Sequence, residues 1–149
     1  MRQGWKIYTS VRQTGGDGEA IHALNRDALG YPDSLELTRI RLSALLQSDR
    51  DRIFVACLDD TVAGYIHGAD YECTYADRMK NVMALAVFPR YQGRGIGRAW
   101  LSAVETWARE DCCAGVRLDS GAERRGAHQF YMHCGYLLRK EHKNFHKIF

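Results

Sequence analysis

A turn of seven residues carries the side chains whose types and spacing point most directly to chemistry. The turn consists of Gln92, Gly93, Arg94, Gly95, Ile96, Gly97 and Arg98. Because glycine lacks a Cβ atom, successive backbone N–H groups in such a turn can converge on a pyrophosphate, and the two guanidinium groups favour an anion there. The turn therefore predicts a site for a ligand that carries phosphate.

The segments on either side place this turn between a strand and a helix. Residues 81–88 form a largely apolar run bounded by Pro89, which is typical of a strand covered on both faces. Beyond the turn, apolar residues recur at helical spacing and predict a core-facing stripe, namely Ile96, Trp100, Val104 and Trp107. The glycines thus precede a helix N-terminus, where free N–H groups and the positive end of the helix dipole attract an anion.

Two familiar phosphate-binding motifs do not fit the turn. A dinucleotide fingerprint needs a glycine at the position that Arg98 occupies, and a Walker loop needs Gly-Lys-Ser/Thr at its end. A flexible surface loop without a ligand is the remaining alternative, since glycine clusters are often plain turns.

Composition bounds the classes of protein that the chain could represent. It has 149 residues, of which 46% are hydrophobic and 26% charged, as expected for one globular domain spanning residues 1–149. The net charge of +3 is too mild to indicate a nucleic-acid partner. No apolar run suits a membrane span and no signal peptide is recognisable, so a cytoplasmic location is expected. Neither the cysteines nor the histidines have metal-ligand spacing, so no metal site is predicted.

Periodicity predicts an α+β order of elements along the chain. Helices are expected over residues 19–29, 33–48, 96–108 and 127–134. Strands are expected over residues 5–11, 52–58, 61–72, 81–88 and 115–120, with a closing hairpin formed by residues 136–139 and 144–149. The polar stretch 73–80 is read as a connection, and the glycine-rich stretch 15–18 as a break.

Two motifs resemble those of the Gcn5-related N-acetyltransferase superfamily. The first is Gln/Arg-x-x-Gly-x-Gly/Ala after a central strand, and Gln92, Gly95 and Gly97 fill its positions. The second runs from Arg124 through Ala127, His128, Phe130 and Tyr131 to Gly135 and Tyr136. The resemblance implies a three-layer domain, in which a mixed, splayed sheet of about seven strands carries helices on both faces.

The resemblance also implies that acetyl-coenzyme A is the acyl donor and lies where the central strand and the next one part. Its pyrophosphate would meet the turn formed by residues 92–98, and its pantetheine would pair with Leu85, Ala86 and Val87 like an added strand. The other side of the donor would be bordered by Ser120, Arg124 and Ala127. Many relatives have asparagine at the position of Arg124.

Tyr131 is the predicted general acid, because the resemblance places it beside the sulfur of the departing thiolate. A packed aromatic beside Phe130 is the alternative. The predicted strand 81–88 has no carboxylate, which leaves Glu72 as the candidate base or amine-binding group, with Asp70 on the same strand face. A solvated strand end would explain Glu72 equally well.

The family mechanism implies a direct attack of an amine on the thioester in a ternary complex, with a backbone N–H near Val87 stabilising the oxyanion. Acidic residues at the expected acceptor side, Asp70, Glu72 and Asp77, favour a small cationic amine such as a polyamine or amino sugar. A protein N-terminus or lysine is the competing acceptor, and a non-catalytic coenzyme A sensor is the alternative of another class. Edge strands in the closing hairpin leave room for a homodimer.

Overall fold

The computed structural model describes residues 5–9 and 15–149. The chain divides into two compact units, Met1–Leu118 and Asp119–Phe149. No helix in the described ranges is both long and apolar enough to cross a bilayer.

The first unit contains most of the secondary structure. Its strands are β1 (Trp5–Thr9), β2 (Asp51–Leu58), β3 (Thr61–Cys73), β4 (Ala76–Val87) and β5 (Val116–Leu118). Its helices are α1 (Gly15–Asp27), α2 (Leu35–Gln47) and α3 (Ile96–Glu110), and a short 3-10 turn spans Pro89–Tyr91. The second unit contains α4 (Arg125–His133).

The strands form one mixed sheet in the order β1-β2-β3-β4-β5. The pairings from β1 to β4 are antiparallel, whereas β4 and β5 are parallel. This parallel pair is connected through α3, the crossover that parallel strands require. The predicted α+β class with a mixed sheet is therefore confirmed.

Side-chain alternation along β3 places helices on both faces of the sheet. On one face the hydroxyl of Tyr65 donates a hydrogen bond to Asn25 of α1. On the other face a Cβ atom at Gly64 would lie 2.4 Å from the Trp100 ring, and one at Gly68 would lie 3.0 Å from Trp107. Because neighbouring strand residues point to opposite faces, the sheet separates α1 from α3, as predicted.

The predicted core stripe of α3 is buried against these glycines. Trp100 is completely buried, and Trp107 and Val104 are buried as well. A side chain at Gly64 would also collide with the backbone of Ala86, 2.2 Å away. The missing side chain lets α3 lie close to the sheet, which fixes the helix relative to β4.

Two elements begin earlier than predicted. Helix α1 starts at Gly15, within the stretch read as a break, where Asp17 supplies a carboxylate near the positive end of the helix dipole. Strand β4 starts at Ala76, so part of the stretch read as a connection belongs to a long hairpin with β3 that closes where Cys73 faces Ala76. Its polar residues fit a strand because Asp77 is exposed and Lys80 is ion-paired. Residues 10 and 11 of the predicted first strand lie outside the described residues.

Lys80 is a fully buried cation at the centre of this hairpin. Its Nζ forms ion pairs with Asp70 of β3 and, at 2.6 Å, with Asp111 at the end of α3. The same atom lies 3.8 Å from the centroid of the Trp107 ring. A buried ammonium group is costly unless it is paired, so these contacts hold β3, β4 and α3 together at this end of the sheet.

The predicted closing hairpin is not formed. Within the described residues the sheet has five strands rather than about seven, and residues 134–149 contain neither helix nor strand. A strand needs a neighbour for its backbone hydrogen bonds, and residues 136–149 pair with no strand in the described part of the chain.

The contact between Lys80 and Asp111 makes the stability of the protein depend on pH. The hydrogen bond from Lys80 holds the pKa of Asp111 below its usual range. A carboxyl whose pKa is lower in the folded state stabilises above its unfolded pKa of about 4, and this contribution is lost as the pH falls through the folded pKa. We therefore expect Asp111→Asn to reduce the acid-induced loss of unfolding free energy, measured by urea denaturation between pH 3 and pH 7.

The exposed Asp77 supplies the control for this measurement. Asp77→Asn should retain the wild-type dependence on pH. An equally steep loss in Asp111→Asn and in the wild type would contradict the role given to this pair.

Candidate functional site

Strands β4 and β5 run together for three residues and then part. Lys80, Asn81 and Val82 lie opposite Val116, Arg117 and Leu118, where β5 ends. Strand β4 continues to Val87, and in the described residues no strand lies beside residues 83–87 on that side. The predicted splay is present in the first unit as an open strand edge.

The register with β3 decides which backbone groups face the open edge. The N–H of Phe88 donates to the carbonyl of Ala63 at 2.9 Å, and hydrogen-bonded residues alternate along an antiparallel ladder. Ala86 therefore directs its backbone groups toward Tyr65 of β3, whereas Leu85 and Val87 direct theirs toward the open edge. Of the three residues predicted to contact pantetheine, Leu85 and Val87 have backbone groups placed to pair with an extended ligand.

The predicted glycine turn lies directly beyond this edge. Gly93 and Gly95 have φ values of 75° and 81°, and Gly95 is the N-cap of α3. A Cβ atom at Gly95 would meet nothing within 4 Å, so backbone conformation rather than space calls for glycine there. No side chain caps this helix, so the N–H groups of its first turn have no side-chain acceptor. Ile96 at the start of the helix is buried, whereas residues 92–95 just before it are exposed.

Several arginines surround the turn, and two are held by aromatic rings. The guanidinium of Arg90 lies 4.9 Å from the ring centroids of both Phe88 and Tyr91. That of Arg94 lies 5.6 Å from the Tyr91 centroid, and Arg98 is exposed in the first turn of α3. Positive charge therefore adds to the positive end of the helix dipole, an arrangement that suits a phosphate.

A polar cluster occupies the point where β4 and β5 part. Arg117 donates a hydrogen bond to Oδ1 of Asn81 at 2.6 Å, and its guanidinium lies 4.2 Å from the Tyr71 ring centroid. The amide nitrogen of Asn81 lies 3.0 Å from the sulfur of Met83. The sequence analysis did not select Arg117, although a single arginine inside a short predicted strand was a signal for it.

Glu72 is not brought near the open edge. Its carboxylate forms ion pairs with Arg50 at 3.3 Å and Arg78 at 3.8 Å. Leu85 pairs with Ile66, six residues before Glu72, a separation of about 20 Å along a strand. The other two acidic residues of the predicted acceptor side have different environments from each other. Asp70 forms an ion pair with Lys80, whereas Asp77 is exposed.

The second unit contains the remaining predicted site residues. Tyr131 lies on α4, with its ring centroid 5.4 Å from that of Phe130 and 6.3 Å from that of Tyr136. Burial raises the pKa of the Tyr131 hydroxyl; Arg124 opposes this effect and Cys134 adds to it. The phenol is therefore protonated at neutral pH and can donate a proton.

Two of the three predicted donor contacts, Ser120 and Arg124, precede α4, and the third, Ala127, lies in the first turn of that helix. The hydroxyl oxygen of Ser120 is buried and has no hydrogen-bond partner in the described residues, a costly condition that a bound ligand would relieve. Arg124 is the N-cap of α4, and its N–H donates to the carbonyl of Gly121 at 3.0 Å. His128, next to Ala127, donates from Nε2 to the same carbonyl at 2.8 Å.

A mixed sheet with an open edge beside a glycine turn defines an α+β protein suited to an elongated phosphate-bearing ligand. Solved structures share this fold. An aminoglycoside acetyltransferase from an uncultured soil metagenomic sample, in complex with trehalose, superposes with a TM-score of 0.83 at 20% identity, covering 98% of this chain and 97% of that one. AAC(6')-Iy in complex with the bisubstrate analogue CoA-S-monomethyl-acetylneamine gives 0.81 at 19% identity, covering 97% and 98%.

The family model described as "Acetyltransferase (GNAT) family" matches residues 18–136. The chain belongs to this family. It is also 42% identical over 50 residues to the aminoglycoside N(6')-acetyltransferase type 1 of Stenotrophomonas maltophilia. This alignment spans 34% of the chain and 33% of that relative.

The left-handed conformation of Gly95 allows a matched test of the donor site. Gly30 has a similar φ of 78° and equally open surroundings, but lies far along the chain from the turn. We expect Gly95→Ala and Gly30→Ala each to cost about 1 kcal/mol of stability, because alanine is strained at positive φ. Only Gly95→Ala should weaken acetyl-coenzyme A binding, by about tenfold, in isothermal titration calorimetry. Equal binding by the two variants would remove the turn from the site.

Proposed function

We propose that this protein transfers an acetyl group from acetyl-coenzyme A to a primary amine of a small cationic molecule, of the polyamine or amino sugar type. The observation that carries the proposal is the open backbone edge of Leu85 and Val87 beside the uncapped N-terminus of α3. Membership of the acetyltransferase family supports the reaction. The relative and the solved structures, which are named for aminoglycoside acetylation, support the class of acceptor.

The residues present fit coenzyme A. Backbone N–H groups of the turn at residues 92–98 would hold the pyrophosphate, and the free edge of β4 would pair with the pantetheine arm. The unpartnered hydroxyl of Ser120 supplies a further polar contact. When bound, acetyl-coenzyme A supplies an activated acyl carbon and a thiolate leaving group.

The reaction proceeds by direct attack in a ternary complex. The lone pair of the acceptor nitrogen forms the new C–N bond to the acyl carbon, and the C–S bond breaks. The N–H of Val87, which faces the open edge, donates to the acyl oxygen as that oxygen gains negative charge. Holding amine and thioester side by side accounts for much of the acceleration, because the encounter becomes intramolecular.

Tyr131 gives its proton to the departing thiolate. The hydroxyl is protonated because burial raises its pKa, and its ring is held between Phe130 and Tyr136. The proton that the attacking amine loses is a separate matter. Asn81 cannot accept it, and Glu72 is bound to two arginines at a distance from Leu85, so water is the acceptor that we propose.

An assay of thiol release tests the proposed function. Polyamines, amino sugars, lysine-containing peptides and peptides with free N-termini would be offered with acetyl-coenzyme A, and acetylated products identified by mass spectrometry. We expect turnover of the first two groups. Turnover of peptides alone would establish a protein acetyltransferase. Binding of acetyl-coenzyme A without turnover of any acceptor would favour the sensor, and no binding would refute the donor assignment.

Removal of the Tyr131 hydroxyl tests its role as acid. Tyr131→Phe should lower kcat by about 10²-fold, the usual contribution of a general acid, while the Kd for acetyl-coenzyme A is unchanged. Because burial raises the pKa of Tyr131, the wild-type rate should not fall as the pH reaches about 10, where an ordinary tyrosine ionises. Tyr136→Phe is the control, since it removes the hydroxyl of the neighbouring ring and leaves that of Tyr131 in place. An unchanged kcat in a folded Tyr131→Phe protein would refute the assignment.

The two roles predicted for Glu72 differ in their effect on the pH–rate profile. Because Arg50 and Arg78 hold the Glu72 carboxylate away from the open edge, we expect Glu72→Gln to keep the acidic limb of the profile of kcat/KM and to leave KM for polycationic acceptors unchanged. Loss of the acidic limb would instead establish Glu72 as the general base.

A further inference from the structure

A histidine and an aspartate form a mostly buried pair on neighbouring strands of the sheet. Nε2 of His67 on β3 lies 2.8 Å from Oδ1 of Asp51, the first residue of β2, and the two side chains are 13% and 18% exposed. An ionised carboxylate accepts hydrogen bonds and donates none. In the neutral ring Nε2 therefore carries the hydrogen and Nδ1 carries the lone pair. Asp51 thus sets the ring of His67 in the form of a base.

The register of β3 and β4 places this base beside the open edge. His67 lies opposite Ala84, at the middle of the stretch 83–87 that has no strand neighbour on its other side. The α-carbons of such a pair are about 5.5 Å apart, and an extended ligand on the edge adds about 5 Å more. That separation leaves room for an amine and a water molecule between the ring and a thioester on the edge.

β4 carries small side chains on the face of the sheet that holds His67. Opposed residues of antiparallel strands point to the same face, so Ala84 shares the face of His67 and Ala86 shares that of Tyr65. Each alanine projects only a methyl group. β4 therefore does not screen the ring from the open edge.

The packing of the two faces favours the same side for the acceptor. On the opposite face Trp100 and Trp107 of α3 are buried against the sheet. On the face of His67, the amide nitrogen of Asn81 contacts the sulfur of Met83, and Met83 is 57% exposed. An acceptor from solvent thus meets the open edge on the face that holds His67.

Few charged or titratable groups face His67. β2 contributes Asp51, and Tyr65 on β3 stays neutral because burial raises its pKa to about 12. β4 contributes no charged residue opposite the ring, and farther along it Asn81 accepts a hydrogen bond from Arg117 of β5. Helices α1 and α2 add apolar residues to the core beside Tyr65, namely Ile21, Leu24, Leu42, Leu45 and Leu46.

We propose that His67 receives, through a water molecule, the proton that the acceptor nitrogen loses, and that Asp51 is the positioning residue for its ring. The inference rests on the proposed acyl transfer and supplies a destination for that proton. An N–H bond of the nitrogen that has joined the acyl carbon breaks, and its proton passes to water. A proton of the same water passes to Nδ1.

The products of this step are compatible with the surroundings of the ring. His67 becomes an imidazolium beside the Asp51 carboxylate, which stabilises the positive charge. The imidazolium returns its proton to solvent before the next cycle. The 13% of the side chain that is exposed provides the contact with water that both transfers need.

The dependence of kcat on pH separates this role from that of a structural ion pair. The probe is the polyamine or amino sugar that the thiol-release panel turns over fastest, at saturating acetyl-coenzyme A. Wild-type kcat should fall between about pH 8 and pH 5, the range in which imidazole side chains become protonated. His67→Gln should lower kcat at pH 7 by about 10²-fold and abolish this acidic limb, while the Kd for acetyl-coenzyme A is unchanged.

Asp51→Asn tests the same step with the imidazole ring in place. An asparagine amide donates to Nε2, so the ring hydrogen moves to Nδ1 and the lone pair no longer faces the water. This variant should lose kcat as His67→Gln does. His22→Gln is the matched control, because His22 likewise bonds through Nε2, to the carbonyl of Asp33 at 2.9 Å, and it should keep the wild-type profile.

Imidazole in solution provides a readout that a structural role would not change. It should restore kcat to His67→Ala, which leaves space for the free base, and should not accelerate the wild type. Circular dichroism verifies that each variant is folded, and Asp51→Asn decides the matter if the His67 variants do not fold. An active wild type whose kcat and acidic limb persist in a folded His67→Gln or Asp51→Asn would overturn this assignment alone. A wild type that binds acetyl-coenzyme A and acetylates no amine would refute the proposed function, and this assignment with it.

Discussion

The site depends on a sheet that is closed at one end and open at the other. Lys80 maintains the closed end, where a buried ammonium is paired with Asp70 and Asp111 and lies over the Trp107 ring. The parallel pairing of β4 with β5 begins at the same residue and continues for three residues. Because the charge would be costly if any partner moved away, the strands are fixed here and are free to diverge beyond Val82.

Helix α3 connects the glycine turn to this fixed end of the sheet. Asp111 at its C-terminal end contacts Lys80, and Trp100 and Trp107 in its middle and last turns pack against Gly64 and Gly68. Its N-terminus begins at the glycine turn, with Gly95 as the N-cap. A helix of fifteen residues spans about 22 Å, so one rigid rod connects a buried ion pair to the predicted phosphate site. The position of the turn is thereby set by packing rather than by the loop itself.

The sequence predicted what depends on local pattern and left out what depends on long-range pairing. The strand, turn and helix around Gln92–Arg98 were recognisable because apolar runs, glycines and helical spacing are local. The extension of β4 back to Ala76 was missed because its polar residues looked like a loop, and only Asp70 and Asp111, distant in sequence, explain how Lys80 can be buried. The tail hairpin failed for a related reason. A composition typical of strands does not show which strand a segment pairs with. The sequence likewise gives no sign that Arg50 and Arg78 form ion pairs with the Glu72 carboxylate.

Asn81, whose amide oxygen accepts a hydrogen bond from Arg117, bears on which acceptors would react at neutral pH. An asparagine amide is not basic, so Asn81 cannot take the proton of an ammonium group. Under the proposed function, the basicity of the acceptor itself governs how much of it arrives as the reactive free amine. An alkyl amine with a pKa of about 10.4 is almost entirely protonated at pH 7, whereas an amine with a pKa near 8 carries a sizeable neutral fraction. An enzyme with such a site would discriminate among amines by their pKa as well as by their shape.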